Sequence, residues 1–480
     1  MRRDCGENVK VMIVEPLTVG PIVGYTTDTT CRLWGRGPDA AGARVFGVAR
    51  AFRAGTRVPV AEGQFKMMAK FDYTGVVDLM GLVPDTAYDY EIGFVRGEAT
   101  WDAFPEDTPL DWNGASSGAV RTNAPPGTPA PVSFVFGSCR YLLLKWILHW
   151  GEESGDKAFR SILEQMAREV RTDCLLMVGD EIYADDLKGI DPDDHLDEFL
   201  ERYRIAFGQP FIRQLMSRVP TYMILDDHEI KDAWTMDMRP GREALYAGAL
   251  SAYQSYQVVH GPAFDLSGPG DPEFSRTPTR YWYKYDLGPA RFFVLDTRNE
   301  RYVNLAGAEP RIISTVQMSA LLQWLVESPA DAPKFVVSSV PMFPDDRSEI
   351  RDKWAGFPQQ RRQLLEEIRS RGVRKVVFLS GDVHCSSWSE LRCESDPSFR
   401  VYSVISSPFF FPGPRLGQED RFDLRGTISN PPHDFVIGGH GPILGDDAFI
   451  RVSLDAGATV MRVDVYDRKG GLLDGVALPF

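Results

Sequence analysis

Several short runs in this chain end an apolar stretch in residues that can bind a metal or move a proton. They are "FGSCR" with Cys139, "VGDEIY" with Asp180, "LDDHE" with Asp226, Asp227 and His228, and "SGDVH" with Asp382 and His384. A fifth, "FFVLDTRNER", ends in Asp296 and supplies Arg298 and Arg301. Taken singly, each has an ordinary reading. A Gly-Asp after a strand makes a turn or a helix N-cap. "DDHE" can open a helix with its acids at the positive end of the dipole. Cys139 can be a small buried hydrophobe, Asp382 and His384 a satisfied structural pair, and the two arginines surface ion pairs. Together they point elsewhere. Carboxylates gathered at one sheet edge repel each other, and bound cations offset that repulsion, so a metal site is the economical explanation. Glycines before Asp180 and Asp382 allow close approach at those turns.

The elements that must position these residues are strands alternating with helices. Apolar runs "VSFVFGSC", "CLLMVGD", "YMILDDH", "RFFVLD", "KFVVSSVP" and "RKVVFLSGD" read as strands. Between several of them lie amphipathic stretches, such as "DKAFRSILEQMAREV", with Phe159, Ile162, Leu163 and Met166 on one face. "QMSALLQWLVES" and "PQQRRQLLEEIRSRG" read the same way, the latter stopping at Gly372. This alternation indicates an α/β layered domain, in which ligands bind beyond the carboxyl ends of the strands. The C-terminal "AFIRVSLDAGATVMRVDVYDRKGGLLDG" reads as antiparallel strands closing the sheet.

The first part of the chain differs. Residues 10–122 carry short alternating runs broken by Gly, Pro, Asp and Thr, the pattern of a small antiparallel β-sandwich. "TNAPPGTPAPVS", from Thr122 to Ser133, is the best linker, so the catalytic domain is expected over 131–480.

A chain of 480 residues with 43% hydrophobic and 25% charged content can bury a large core. Its net charge of −14 argues against a nucleic-acid scaffold or an anionic membrane as partner, while leaving room for a local anion pocket. No apolar run is long enough to span a bilayer. Arg2 and Arg3 are not followed by the apolar region of a signal peptide, and the six cysteines show neither zinc-finger spacing nor disulfide density. A cytoplasmic setting is the expectation. His149, His195, His260, His433 and His440 sit away from apolar strand ends and read as surface or structural. "NPPHDFVIGGHG" is a weak candidate for an active-site loop; "SSPFFFPGP" reads as core packing before substrate entrance.

The ordered set "GSCR", "GDEIY", "DDHE", "DTRNER" and "SGDVH" resembles the PhoD-type alkaline phosphatases and phosphodiesterases, a branch of the metallophosphoesterase-like hydrolases. The resemblance implies a layered metallophosphoesterase-like catalytic domain behind an Ig- or fibronectin-like sandwich. It also implies a dinuclear or larger metal centre, iron with calcium or another divalent metal. By position, Cys139 and Tyr183 resemble ligands of a ferric ion, Asp180 a bridging ligand, and Asp382 and His384 further ligands. Asp227 and His228 take the place of an Asn-His pair, whose first residue binds metal and whose histidine contacts the phosphate. Asp232, in "IKDAW", stands where family members often carry an asparagine and is a candidate for the second metal. Arg140, with Arg298 and Arg301, is expected to hold phosphate oxygens, a task suited to bidentate guanidinium groups.

The chemistry expected is hydrolysis of a small phosphoester by metal-activated hydroxide, with His228 protonating the leaving alkoxide or stabilising the phosphorane-like state. Monoesters and diesters both remain open. The alternative is a metal- or phosphate-binding protein without useful turnover, which has no need of His228. A carbohydrate- or surface-binding role for the sandwich lacks a convincing aromatic cluster.

Overall fold

The computed structural model describes the chain except residues 1–10, 41, 106, 146–147, 151, 186–192, 264–277, 279 and 414–418. Among the described residues, no helix is long and apolar enough to cross a membrane.

The N-terminal segment forms two antiparallel sheets. Val19–Thr26, Thr30–Arg36 and Thr74–Met80 make one of three strands. Pro59–Met67, Arg44–Arg53, Ala87–Gly97 and Ser116–Arg121 make the other of four, in that spatial order. Leu33 and Val77 from the first meet Val45, Phe65 and Tyr90 from the second in one buried cluster, so the sheets face each other as a sandwich. The Pro-rich stretch expected as a linker runs between Ser116–Arg121 and Val132–Gly137.

The remainder is built on two mixed sheets packed face to face. In one of six strands, Val132–Gly137, Cys174–Met177 and Thr221–Met223 run parallel, and Ala448–Leu454 closes antiparallel on Val132–Gly137. In the other, of eight, Ala290–Val294, Lys334–Val337, Val376–Ser380 and Asp396–Ile405 run parallel. Phe134, Leu176 and Ile450 interdigitate with Phe292, Val337, Leu379 and Val404 between the sheets.

Helices cover both outer faces, since each sheet has a second apolar side to bury. Glu152–Ala167, Leu196–Gly208, Pro210–Met216 and Glu243–Tyr253 pack on the six-stranded sheet. Phe159 and Ile162 of the first turn inward, as their spacing predicts. Thr315–Glu327 and Pro358–Ser370 cover the eight-stranded sheet, and the second ends before Gly372, whose φ of 62° a side chain would strain. The antiparallel C-terminal strands Ala448–Leu454, Val460–Asp467 and Leu472–Pro479 follow the sequence reading. The sequence did not reveal that they join one of two stacked sheets. Strand character is a local property; the choice of partner sheet is not.

Candidate metal centre

Parallel strands deliver their carboxyl ends to one edge, and there the chain turns sharply. Cys139 follows Val132–Gly137, Asp180 follows Cys174–Met177, Asp226 to His228 follow Thr221–Met223, and Asp382 and His384 follow Val376–Ser380. Cys139, Asp180, Asp382 and His384 adopt left-handed φ values of 56°, 58°, 69° and 53°. Such backbone is uncommon for non-glycine residues and persists where surrounding structure enforces it. The Cys139 amide donates to Gly179 O at 3.0 Å, and the Asp382 amide donates to Ser138 Oγ at 3.1 Å. Gly179, at φ 104°, lies so close to Asp226 that a Cβ there would stand 2.5 Å from the Asp226 Cβ.

The side chains converge. Cys139 Sγ donates to Asp180 Oδ2 at 3.3 Å, and Tyr183 Oη approaches the same oxygen at 3.5 Å. Tyr183 Oη is also 3.4 Å from His384 Nε2. Oxygens of Asp180, Asp226, Asp227 and Asp382 lie within 4.8 Å of one another, and Asp180, Asp227 and His228 form an overlapping group.

This set fits a metal. Asp226 Oδ2 is buried with no hydrogen-bond partner among the described residues. Burial pushes the Asp180 carboxyl well above its usual range, with Asp227 and Asp226 adding repulsion against the pull of His228. Asp382 is pushed up to about 8 by burial, despite the Lys353 ammonium against it. Burial and neighbouring acids also hold the Cys139 thiol and the Tyr183 phenol well above their ordinary values. A cation among these groups would stabilise their anionic forms.

His228 faces a cavity of about 850 Å³, whose walls also carry Asp180, Asp227, Asp232, Arg351 and His384. Its Nδ1 lies 2.6 Å from Asp185 Oδ1, and its ring stacks on Tyr183 with centroids 4.3 Å apart. Burial lowers its pKa, but Asp180, Asp227 and Asp185 outweigh that and hold it well above its ordinary value. Phe411 stacks on His384 at 3.9 Å and lines the cavity, while Phe409 and Phe410 are core.

Other expected residues fall elsewhere. Arg140 is fully buried, and its guanidinium donates to the carbonyls of Gly155 and Ala206 at 3.1 and 2.7 Å. It does not line the cavity, so it departs from the expected phosphate grip. Arg298 and Arg301 are also fully buried and do not line the cavity. Arg298 pairs with Asp226 at 2.5 Å and with Asp352 at 2.7 Å, and Arg301 with Asp352 at 2.6 Å. They neutralise carboxylates from behind, so they too depart from the expected grip. Asp232 stands on the cavity wall, its Oδ1 4.0 Å from His228 Nε2, outside the carboxylate cluster. Asp296 caps its own turn, accepting from the Arg298 and Asn299 amides at 3.2 and 3.0 Å. In "NPPHDFVIGGHG", His433 pairs with Ser395 at 2.8 Å, and Phe435–His440 is a strand.

The sequence reading missed Asp185, Asp352 and Lys353. Asp185 follows Asp180 by five positions, within reach of the same loop. Asp352 and Lys353 come from a segment of short 3₁₀ turns with no strand to announce them.

The sequence pattern of one family, described as PhoD-like phosphatase, matches residues 138–409, more than half of the chain. The chain belongs to the PhoD-like phosphatases. The matched span contains every residue of the cluster from Cys139 to His384. Alkaline phosphatase D of Bacillus subtilis (strain 168) is 24% identical over 361 residues, covering 66% of this chain and 57% of that protein. The match therefore spans little more than half the length of that relative. The solved structure of PhoD superposes with a TM-score of 0.71 at 18% identity, covering 96% of this chain and 92% of that one. Purple acid phosphatase PPD1 from yellow lupin (Lupinus luteus) seeds superposes at 0.61 with 11% identity, covering 97% and 74%. At these identities the superpositions establish a metallophosphoesterase-like fold for this PhoD-like chain.

Proposed function

We propose that this PhoD-like chain is a metal-dependent phosphoester hydrolase acting on small phosphomonoesters, phosphodiesters or both. The observation that carries the reading is the juxtaposition of two things at one cavity: a buried cluster of four carboxylates, and an imidazole, His228, backed by Asp185. A binding protein without turnover has use for the first alone.

Cys139, Asp180, Tyr183, Asp227, Asp382 and His384 would hold the metals, with Asp226 as a further donor. A thiolate with a phenolate suits ferric iron, and the carboxylates suit a harder cation such as calcium. When bound, such metals acidify water and draw charge from phosphoryl oxygens. The chain's own groups do the rest. Arg298, Arg301 and Lys353 offset carboxylate charge from the buried side, leaving the cavity side to the metals and substrate. Asp185 fixes His228 through Nδ1, so Nε2, 4.0 Å from Asp232 Oδ1, is the atom placed to give a proton to the leaving alkoxide. The stack against Tyr183 keeps the ring plane in place.

A panel of phosphomono- and diesters, with metal analysis of the same sample, tests the reading. Hydrolysis that disappears with chelation and returns with metal is the expected result. Tight metal or phosphate binding with no turnover on any ester would favour the binding protein.

A further inference from the structure

Glu229 follows His228 and is fully buried, yet it touches neither the cavity nor any carboxylate of the cluster. Its carboxylate accepts hydrogen bonds from the amides of Asp180 at 3.2 Å, Glu181 at 2.7 Å and Asp226 at 2.9 Å. Gln257 Nε2 adds a fourth contact at 3.4 Å. Two of the three amides belong to residues of the carboxylate cluster, and they come from two different strand-end loops. The neighbouring Glu181 carboxyl is fully buried, with neither oxygen hydrogen-bonded among the described residues. Three amides aimed at one side chain need an acceptor with two oxygens, which Glu229 supplies.

We propose that Glu229 is a positioning residue for the metal centre, tying the Asp180 and Asp226 loops together through their amides and organising the ligands before metal binds. The inference rests on the metal-centre reading. It acts entirely through backbone: the left-handed turn at Asp180 and the approach of Asp226 to Gly179 are both fixed by the same carboxylate. Glutamine keeps the shape but turns an NH2 group toward amides that need an acceptor.

The test is calorimetric titration of Mn²⁺ alone into the chelator-stripped full chain, for wild type, Asp180→Asn and Glu229→Gln. Wild type should bind, Asp180→Asn should not, and Glu229→Gln should bind about 10–100-fold more weakly, as for other residues that orient metal ligands. The stripped Glu229→Gln protein should still unfold in urea in one cooperative transition, at a lower midpoint than wild type, because a buried amide is left without its acceptor. A general loss of packing instead gives a broad, non-cooperative transition, and hydrogen exchange on wild type then decides. Wild-type affinity in Glu229→Gln, with Asp180→Asn still inactive in binding, would overturn the proposal and leave the metal centre standing. No binding by wild type would overturn both.

Hydrogen exchange needs no variant. In stripped wild type, the amides of Asp180, Glu181 and Asp226 should stay protected. Rapid exchange there, slowed only when Mn²⁺ is added, would assign the ordering to the metal and overturn the proposal even if Glu229→Gln does not fold.

Discussion

The Nδ1 atom of His228 and the Oδ1 atom of Asp185 lie 2.6 Å apart at the wall of the cavity. The other Asp185 oxygen accepts from the Asp232 amide at 2.7 Å, so the carboxylate is itself fixed. An imidazole held this way is oriented through Nδ1, which leaves Nε2, 4.0 Å from Asp232 Oδ1, as the nitrogen available to substrate. Asp185→Asn should therefore act as a leaving-group defect. Hydrolysis of alkyl phosphates should fall by about 10²-fold or more, the usual worth of general acid catalysis, with nitrophenyl esters little changed. His228→Ala should show the same split. Measured across a leaving-group series, an equal loss on every ester would reduce His228 to a phosphate contact.

The Cys139, Tyr183 and His384 donors around Asp180 make a prediction about colour. Protein purified without chelator should contain iron and absorb in the visible through thiolate and phenolate charge transfer. Tyr183→Phe should shift or bleach the band, and Cys139→Ser should weaken iron retention. A colourless, iron-free and fully active preparation, unchanged by either substitution, would make Cys139 packing and Tyr183 a wall residue.

How much of this centre was legible depended on direction more than on residue type. Asp180, Asp227, Asp382 and His384 could be read because each ends an apolar strand, and parallel strands deliver their ends to one edge. Arg140, Arg298 and Arg301 were equally visible as residues, but which way a side chain leaves a left-handed turn is decided by packing. Burial spends all three on carbonyls and carboxylates behind the cluster. Lys353 was illegible for the opposite reason: its ammonium reaches Asp382 from a loop whose local sequence has no periodicity. The two-sheet architecture was half legible, since strands and helices follow local patterns but the packing of one sheet on the other, with Phe134 edge-on to Phe292 and Phe335, joins residues about a third of the chain or more apart.

Stability should carry a pH signature from His260, which lies where the sandwich meets the rest of the chain; its carbonyl accepts from the Tyr25 amide at 2.8 Å. Burial lowers its pKa to about 3, outweighing the opposing pull of backbone groups at Tyr256 and Thr221. Unfolded, the ring titrates near ~6.5. Below that pH the unfolded chain takes up a proton that the folded one refuses. The contribution is thus intact above ~6.5 and falls toward pH 3, with a slope approaching ~1.4 kcal/mol per pH unit. Urea unfolding of wild type and His260→Gln at pH 7 and pH 5 checks this. Wild type should lose more stability between the two, by roughly 2 kcal/mol. Parallel losses would mean that His260 does not titrate in that window.

Asp180 is the residue on which the account depends, because its carboxylate meets Cys139, Tyr183 and the His228 amide at once. The most direct measurement is hydrolysis of nitrophenyl phosphate esters by Asp180→Ala beside wild type, with metal content determined on the same samples. The account predicts that wild type holds metal and hydrolyses the ester, while the variant stays folded, loses bound metal and shows no hydrolysis above background. A folded Asp180→Ala protein that hydrolyses at the wild-type rate would contradict it.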